Sequence, residues 1–242
     1  MSTCGACGSE HNHNNSLYRK DGGTPVIALL GQPNSGKSTI FNMLTGSHQH
    51  VGNWPGKTVD RKEGEFKWKG QKRILADLPG SYSLSADSDE EVITRDYIAS
   101  GNADLVLIMA DASQLKRSLY MLADFVGTEV PAVLVLNMMD VAAGQGITVH
   151  TDVLSQKLGI PVVPMSAICK RDYHPLREAI ENALVQKPKI AGQAMPSARE
   201  KTDYIDSLLA DVLAADKTAS QAFTRFDKLA LSPVRGKLIA FG

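Results

Sequence analysis

Residues 31–38 (GQPNSGKS) have the types and spacing of a phosphate-binding loop. They fit G-x-x-x-x-G-K-[ST], and they lie between an apolar run and a helical pattern, as such a loop requires. Backbone N–H groups of this kind of loop close on phosphate oxygens, and the start of the following helix adds positive charge. Lys37 should reach the β- and γ-phosphates, and the Ser38 hydroxyl should bind Mg²⁺. The structural alternative is a glycine-rich turn with a surface lysine.

Two further positions would complete a metal and phosphate site around this loop. In DLPG, at the end of another apolar run, Asp77 should hold the water shell of the metal ion. The Gly80 N–H should contact the γ-phosphate. Thr58 is the predicted switch threonine, whose hydroxyl completes Mg²⁺ coordination only when a triphosphate is bound. Together these residues predict a nucleotide-dependent switch that hydrolyses a nucleoside triphosphate.

The sequence offers no evident group to orient the attacking water. Many switch proteins of this kind carry glutamine directly after the D-x-x-G motif, and Ser81 stands there instead. Glu90 and Glu91 follow nearby, and as a charge pair at a helix start we interpret them as solvated rather than catalytic. We therefore expect slow hydrolysis.

The motif NMMD follows another predicted strand and could read the base. The Asp140 carboxylate can accept from N1–H and the exocyclic amine of guanine, while Asn137 would brace the loop and approach N7. Met138 stands where guanine-reading motifs usually carry lysine, and its thioether can pack on the base in the same way. Ser166 and Ala167 would donate backbone N–H groups to the base oxygen. Taken alone NMMD is equally consistent with an ordinary loop, but its place after the phosphate motif favours guanine.

Short apolar runs alternate with helical patterns along most of the chain. The runs are continuous rather than alternating, which is typical of strands covered on both faces. This predicts an α/β fold of the P-loop G-domain type: a mostly parallel sheet, helices on both faces, and a short C-terminal helical appendage. The stretch EGEFKWKGQKRI fits a hairpin turning at Lys69-Gly70 that adds one antiparallel edge strand. The predicted strands are 25–31, 73–80, 104–111, 131–137 and 160–167.

Composition bounds the class of protein. Lys+Arg and Asp+Glu balance at 26 each, so no net charge recruits nucleic acid or anionic lipid. No apolar run approaches the roughly 20 residues that span a bilayer, and the N-terminus has no apolar signal region. The 3 cysteines do not form a disulfide framework, which favours a reducing cytosol. The predicted organisation is a disordered tail (1–23), a G domain (24–186), a linker (187–201) and a short helical segment (202–242).

The motifs GQPNSGKST, VGNWPGKTV, DLPGSYSL, NMMD and SA, in this order, resemble the cytosolic G domain of FeoB-type bacterial ferrous iron transporters. The resemblance covers about 24–185, and 202–242 more weakly. It implies a GTPase of the potassium-activated TrmE/Era/septin-like group that uses GTP/GDP, Mg²⁺ and K⁺. It also implies slow, K⁺-stimulated hydrolysis that gates Fe²⁺ passage through a membrane-embedded permease domain of the same protein. The chain would then lie at the cytoplasmic face of the bacterial inner membrane, with a homo-oligomer allowed and without nucleic acid partners.

The same resemblance implies a role for the loop that contains Trp54. K⁺ would lie against the phosphates where other GTPases use an arginine finger, bound by the Asn34 side chain and by the Gly52 and Trp54 carbonyls. Residues 50–58 contain no arginine, and their Gly, Asn, Pro and Thr content predicts a loop rather than a strand or helix. The Trp54 ring could shield the ion, or it could simply pack on a neighbour.

The predicted site residues fall into three groups. The catalytic group is Lys37, Asn34, Thr58 and Gly80. The nucleotide contacts are Gly31, Asn34, Ser35, Gly36, Lys37, Ser38, Thr39, Gly56, Thr58, Asp77, Gly80, Asn137, Met138, Asp140, Ser166 and Ala167. The metal ligands are Ser38, Thr58 and, through water, Asp77 for Mg²⁺, with Asn34, Gly52 and Trp54 for K⁺.

The C-terminal region departs from the usual FeoB pattern, and two other functions also remain open. FeoB proteins usually carry a longer helical domain than the residues between Val185 and Phe223 can form. The ending LSPVRGKLIAFG resembles the lead-in to a first membrane span. We therefore interpret the chain as a fragment of a longer membrane protein, or as a naturally short homologue.

An RNA- or ribosome-associated GTPase is the second candidate function, although 186–242 shows no basic cluster. A metal-sensing module is the third, since Cys4, Cys7, His11 and His13 offer four possible ligands.

Overall fold

A seven-stranded sheet with helices on both faces forms the centre of the protein. The structure, a computed structural model, describes residues 23–46, 49–54, 58–85 and 88–215. The strands are β1 (Val26–Gly31), β2 (Gln49–Asn53), β3 (Asp60–Trp68), β4 (Gln71–Asp77), β5 (Leu105–Asp111), β6 (Ala132–Asn137), β7 (Ile147–Val149), β8 (Val162–Pro164) and β9 (Leu213–Ala215). The helices are α1 (Lys37–Thr45), α2 (Asp89–Ala99), α3 (Leu115–Ala123), α4 (Met139–Gly144), α5 (Thr151–Leu158), α6 (Tyr173–Gln186) and α7 (Ala198–Val212).

The order across the sheet is β2-β3-β4-β1-β5-β6-β8, and β4, β1, β5, β6 and β8 pair in parallel. Every residue of β1 and β6 is buried, because helices cover both faces of these strands. Two apolar clusters result, one on each side of the sheet. The predicted α/β fold with a mostly parallel sheet is confirmed.

The hairpin β3–β4 is antiparallel and turns at the predicted residues. Lys69 and Gly70 both have positive φ (47° and 78°), the conformation of the two-residue turn that matches strand twist. One detail differs from the expectation, since β2 pairs antiparallel with β3 and is itself the edge strand. The prediction that 50–58 contains no strand is therefore wrong for His50 to Asn53. Pairing with a neighbouring strand satisfies these backbone groups and overrides weak local propensity.

The C-terminal helix packs on the same core as the sheet. Helix α7 begins at Ala198, four residues before the predicted segment, because Ser197 and Glu200 form a capping box. It contacts α3 and α5, and its Ile205 is buried in the cluster on that face. In the predicted linker, Ile190 is also buried. The proposed domain boundaries at 186 and 201 stay predictions, and 1–22 and 216–242 lie outside the described residues.

Within the described ranges, no helix combines the length and apolar character needed to cross a bilayer.

Candidate functional site

The carboxyl ends of the central parallel strands open into a cavity of about 860 Å³. This is the edge at which open α/β sheets bind ligands. The predicted site residues that line it are Asn34, Gly36, Lys37, Ser38, Thr39, Thr58, Asp77, Gly80 and Met138. Gly31, Ser35, Gly52, Trp54, Asn137, Asp140, Ser166 and Ala167 lie outside this lining, and Gly56 is outside the described residues. The cavity thus unites the phosphate and switch motifs and has the base motif at its rim.

The loop between β1 and α1 depends on glycine at two positions. Gly36 has φ of 88°, and a Cβ there would lie 2.2 Å from the Asn137 Nδ2. A Cβ on Gly31 would lie 2.6 Å from the Met109 Cβ on the neighbouring strand. Asn34 adopts a left-handed φ of 66°, which asparagine tolerates better than most residues. Side chains at either glycine would force the loop away from the strands that position it.

Lys37 and Asp77 meet across the floor of the cavity. The Lys37 Nζ donates to the Asp77 Oδ1 at 2.5 Å and to the Leu78 carbonyl at 2.7 Å. Their side chains are only 12% and 7% exposed, so this ion pair is shielded from water. Gly80 packs against Pro33, since a Cβ on Gly80 would lie 3.3 Å from the Pro33 Cγ. The phosphate loop and the D-x-x-G loop are therefore in direct contact.

Asn137 connects the phosphate loop to the loop after β8. Its Nδ2 donates to the Ser35 carbonyl at 2.9 Å, and its Oδ1 accepts from the Ala167 N–H at 2.8 Å. The side chain is 2% exposed, so both bonds lie in a medium of low dielectric constant. A single amide thus holds two of the loops that border the cavity.

The expected donors to the base oxygen are engaged within the protein. The Ser166 N–H donates to the Asp172 Oδ2 at 2.7 Å, and the Ala167 N–H donates to Asn137. The loop thus pairs both N–H groups itself, as amides removed from water require. Their donation to the base oxygen stays a prediction. The sequence reasoning missed Asp172, although its position at the start of a helical pattern was a usable signal.

Tyr173 supports the same loop from the start of α6. Its hydroxyl donates to the Ala167 carbonyl at 2.7 Å. Burial, and more weakly the Asp172 charge, raise the pKa of Tyr173 to about 12 against the opposing effect of Arg177. The phenol therefore remains a donor across the physiological pH range.

The two remaining residues of the base motif start α4. Met138 has a left-handed φ of 60° and lies at the cavity rim, and Asp140 is exposed in the first turn. An exposed carboxylate beside the rim is accessible to a ligand.

The loop after β2 has one residue in the cavity and another packed against the core. Thr58 is exposed and lines the cavity, but the Trp54 ring packs against the core near Tyr97. The packing alternative for the ring therefore holds. Two charged residues of β3, Asp60 and Lys62, also line the cavity and were missed. Alternate residues of a strand point to the same face, so a strand predicted directly after Thr58 would have indicated that Asp60 and Lys62 share a face.

The prediction that the acidic pair after the D-x-x-G motif is solvated is wrong for Glu91. Glu91 is 8% exposed, and its carboxylate accepts from the Ser83 N–H at 3.2 Å and from the Ser83 and Ser85 hydroxyls. Because it closes this loop on α2, it is buried by tertiary contacts that local sequence does not encode. Glu90 is half-buried and lines the cavity. Ser81 is 2% exposed and does not line the cavity.

A phosphate loop between β1 and α1, with Lys37 and Asp77 paired across the carboxyl edge of a covered parallel sheet, defines a P-loop G domain. The family model described as ferrous iron transport protein B matches residues 25–180. The chain belongs to this family.

Individual relatives agree with that assignment. The chain is 46% identical over 160 residues to the Fe(2+) transporter FeoB of Escherichia coli K12, and 41% identical over 201 residues to that of Salmonella typhimurium LT2. These alignments cover 64% and 81% of this chain, but only 21% and 25% of the relatives. The chain thus spans about a fifth to a quarter of the length of the curated relatives that it matches.

Solved structures show the same fold. The cytosolic domain of T. maritima FeoB in a GMPPNP form has a TM-score of 0.71 at 30% identity and covers 79% of this chain and 100% of its own. The L. pneumophila FeoB cytosolic domain has a TM-score of 0.71 at 28% identity, and the match covers 78% of this chain and 99% of that domain. A point mutant of S. thermophilus NFeoB bound to GDP has a TM-score of 0.62 at 44% identity, and the match covers 65% of this chain and 61% of the mutant.

Proposed function

We propose that this chain is the GTP-binding and GTP-hydrolysing switch domain of a bacterial ferrous iron transporter. The observation that carries the proposal is the cavity where Lys37 of the phosphate loop and Asp77 of the D-x-x-G loop meet. Relatives of the same fold are described in GMPPNP and GDP forms, which favours a guanine nucleotide here. Family membership favours this function over an RNA-associated GTPase or a metal sensor. Cys4, Cys7, His11 and His13 lie outside the described residues.

The cavity offers ligands suited to Mg²⁺. Ser38, Thr58 and Asp77 all line it, and they present only the hard oxygen donors that this ion prefers. Held by these residues, Mg²⁺ would neutralise part of the phosphate charge. Asp77 would act through water, since its Oδ1 accepts from Lys37 in this structure. These three residues therefore fit the proposed metal site.

We propose that a monovalent cation binds on the phosphate-loop side of the same cavity. Asn34 is exposed in a left-handed conformation, and it lines the cavity. The arginine nearest in sequence to the switch loop, Arg61, is 5% exposed and bonded to Glu63. A bound K⁺ would supply the positive charge that an arginine finger supplies elsewhere. We propose Asn34 and the Gly52 and Trp54 carbonyls as its ligands.

Different groups of the protein would bind the nucleotide and determine the rate of hydrolysis. The backbone N–H groups of the phosphate loop and the Lys37 ammonium would hold the phosphates in both nucleotide states. Thr58 and the Gly80 N–H would respond to the γ-phosphate and so distinguish the states. Ser81 is buried and cannot orient water from the cavity, so positioning and charge neutralisation must carry catalysis. Slow turnover is the expected consequence.

The proposed setting of this switch is the cytoplasmic face of the bacterial inner membrane. There its nucleotide state would gate Fe²⁺ passage through the permease part of the same protein, and a homo-oligomer stays a prediction. Coupled assays of nucleotide turnover and Fe²⁺ uptake in the full-length transporter would test this role.

GTP hydrolysis should be faster in KCl than in NaCl, and Asn34→Ala should remove the difference. The expected stimulation is roughly 10–100-fold, below the ~10³-fold or more of an arginine finger, because a monovalent ion is less directional. GDP affinity should change little, since the phosphate loop and Lys37 remain. Phosphate release at equal ionic strength in the two salts measures the effect. The exposed variant Asn102→Ala is the control, and equal wild-type rates in both salts would contradict the K⁺ site.

Thr58→Ala should lower turnover roughly 10-fold while GDP binding stays intact. Thr58 is exposed and has no hydrogen-bond partner within the described residues, so its removal should cost little stability. Its contribution should arise only in the triphosphate state, where a ligand to a charged centre is worth about 1.5 kcal/mol or more. Titration with GDP and with a non-hydrolysable GTP analogue would separate the two states. Equal losses for both nucleotides would show that Thr58 has only a structural role.

A further inference from the structure

The Trp54 ring rests between a cation and a second aromatic ring. The Arg61 Cζ lies 5.0 Å from the centroid of the Trp54 ring, within the range of a cation–π contact. On the core side, the Tyr97 ring meets it edge to face, with centroids 5.5 Å apart and planes at 80°. The indole is therefore fixed by two directional contacts as well as by apolar packing.

A buried ion pair with Glu63 holds the Arg61 guanidinium in place. The Arg61 Nε donates to the Glu63 Oε1 at 3.1 Å, and the Arg61 Nη2 donates to the same oxygen. Arg61 and Glu63 are 5% and 1% exposed and project from the same face of β3, since they are two residues apart. A guanidinium engaged in this way is not free to extend into the cavity. Its contact with Trp54 is consequently a fixed feature of the fold.

Helix α2 brings the other contact, and it also holds the D-x-x-G loop. Tyr97 and Glu91 both lie on α2, and Glu91 accepts hydrogen bonds from Ser83 and Ser85. Burial, followed by the Glu63 charge, raises the pKa of Tyr97 well above its ordinary value, against a smaller opposing effect of Arg61. The phenol therefore belongs to the same buried cluster as the ion pair. One helix supports both loops that flank the cavity.

The backbone of Trp54 is also fixed on one side. Its N–H donates to the Val59 carbonyl at 2.9 Å, directly beyond the paired residues Asn53 and Asp60. The bonded N–H and the held ring fix the Trp54 Cα relative to the sheet, and this limits where the attached carbonyl can lie. A change in the contacts of the ring would therefore move the carbonyl as well.

We infer that Arg61, Glu63 and Tyr97 form a seat for the Trp54 ring, and that Arg61 and Tyr97 are positioning residues for the monovalent cation. The inference rests on the proposed function, in which the Trp54 carbonyl is a K⁺ ligand. The seat sets where this carbonyl lies and thereby the K⁺ concentration at which hydrolysis is stimulated. It also explains why an arginine so close to the switch loop leaves the cation site to K⁺.

Tyr97→Leu should raise the K⁺ concentration for half-maximal stimulation of GTP hydrolysis roughly 3–10-fold, the equilibrium change that loss of an aromatic pair produces. Arg61→Met combined with Glu63→Leu should act in the same direction, and this double variant avoids leaving one buried charge unpaired. Tyr97→Phe keeps the ring and should restore the wild-type K⁺ dependence. GDP affinity should change less than about 2-fold in each, because the seat does not line the cavity.

The protein contains a second edge-to-face aromatic contact, at a more exposed position, that serves as a control for these variants. Trp68 lies edge to face with His174 (5.3 Å, 81°) and under Arg177 (5.1 Å), away from the cavity. His174→Leu removes the same kind of contact and should leave the K⁺ dependence unchanged. Thermal unfolding of each variant checks that it is folded.

Three outcomes separate the possibilities. A wild-type protein that hydrolyses GTP equally fast in KCl and NaCl would refute the K⁺ site, and this inference with it. Wild-type stimulation with an unchanged half-maximal K⁺ concentration in both seat variants would refute the seat alone. A rate that falls equally in K⁺ and Na⁺ when Arg61 is replaced would show that Arg61 does not act through the cation, which also contradicts the seat.

Discussion

Asn137→Ala should lower the affinity for GDP and GTP alike by roughly 100-fold and should also lower the unfolding temperature. The substitution removes the bonds from the Nδ2 to the Ser35 carbonyl and from the Ala167 N–H to the Oδ1. Each buried partner left without a bond costs about 1–3 kcal/mol, and about 1.4 kcal/mol corresponds to a tenfold change in affinity. Because this amide connects the two loops, both should loosen together.

Isothermal titration with each nucleotide, together with thermal unfolding, would measure the two effects of Asn137→Ala. Ser155→Ala is a suitable control, since it deletes a bond from the Ser155 hydroxyl to the Ile160 carbonyl (2.7 Å) away from the cavity. The control should lose stability and keep its nucleotide affinity. An Asn137→Ala protein that loses stability but binds GDP normally would show that the bracing has no part in the nucleotide site.

Asp140→Asn should weaken GTP binding roughly 10–100-fold and shift the preference toward xanthine nucleotides. One carboxylate would read two donors on guanine, and a lost hydrogen bond to a charged group costs about 1.5–3 kcal/mol. Xanthine presents an oxygen where guanine presents its exocyclic amine, so the new amide N–H₂ can donate to it. The exposed position of Asp140 in the first turn of α4 allows the substitution without burial costs.

Competition of GTP and XTP against a labelled guanine nucleotide would measure this exchange of specificity. Asp152→Asn is the matched control, because Asp152 is likewise an exposed carboxylate in the first turn of a short helix. The control should keep the wild-type preference. Unchanged GTP affinity in Asp140→Asn would assign guanine recognition to other residues.

Much of the fold and of the phosphate site could be predicted from local sequence. The phosphate loop needs glycine where φ is positive or where a strand approaches closely, and Gly31 and Gly36 mark those positions directly. The turn at Lys69-Gly70 follows the same principle. Continuous apolar runs predicted the buried parallel strands because helices cover both of their faces. In each case the residues that produce the feature are neighbours in the chain.

Tertiary structure decided the features that depend on partners far along the chain. β2 became a strand because β3 offered a free edge, although QHVGN has weak strand propensity. Glu91 is buried because the D-x-x-G loop folds back onto α2, so a carboxylate that looked solvated pairs with Ser83 and Ser85. The Ser166 N–H faces Asp172 rather than the cavity, because a loop first pairs its own partly buried amides.

The position of Trp54 shows the same division. Its sequence context marked a switch loop with a large aromatic residue, but not what the ring would contact. Arg61 is near in sequence, whereas Tyr97 approaches only after α2 has packed on the sheet. Partial burial of the indole and full burial of the Arg61–Glu63 pair are properties of that packing. Types and spacing of residues thus determined which chemistry the site can hold, and long-range packing decided where each group stands, because burial and pairing arise only between assembled elements.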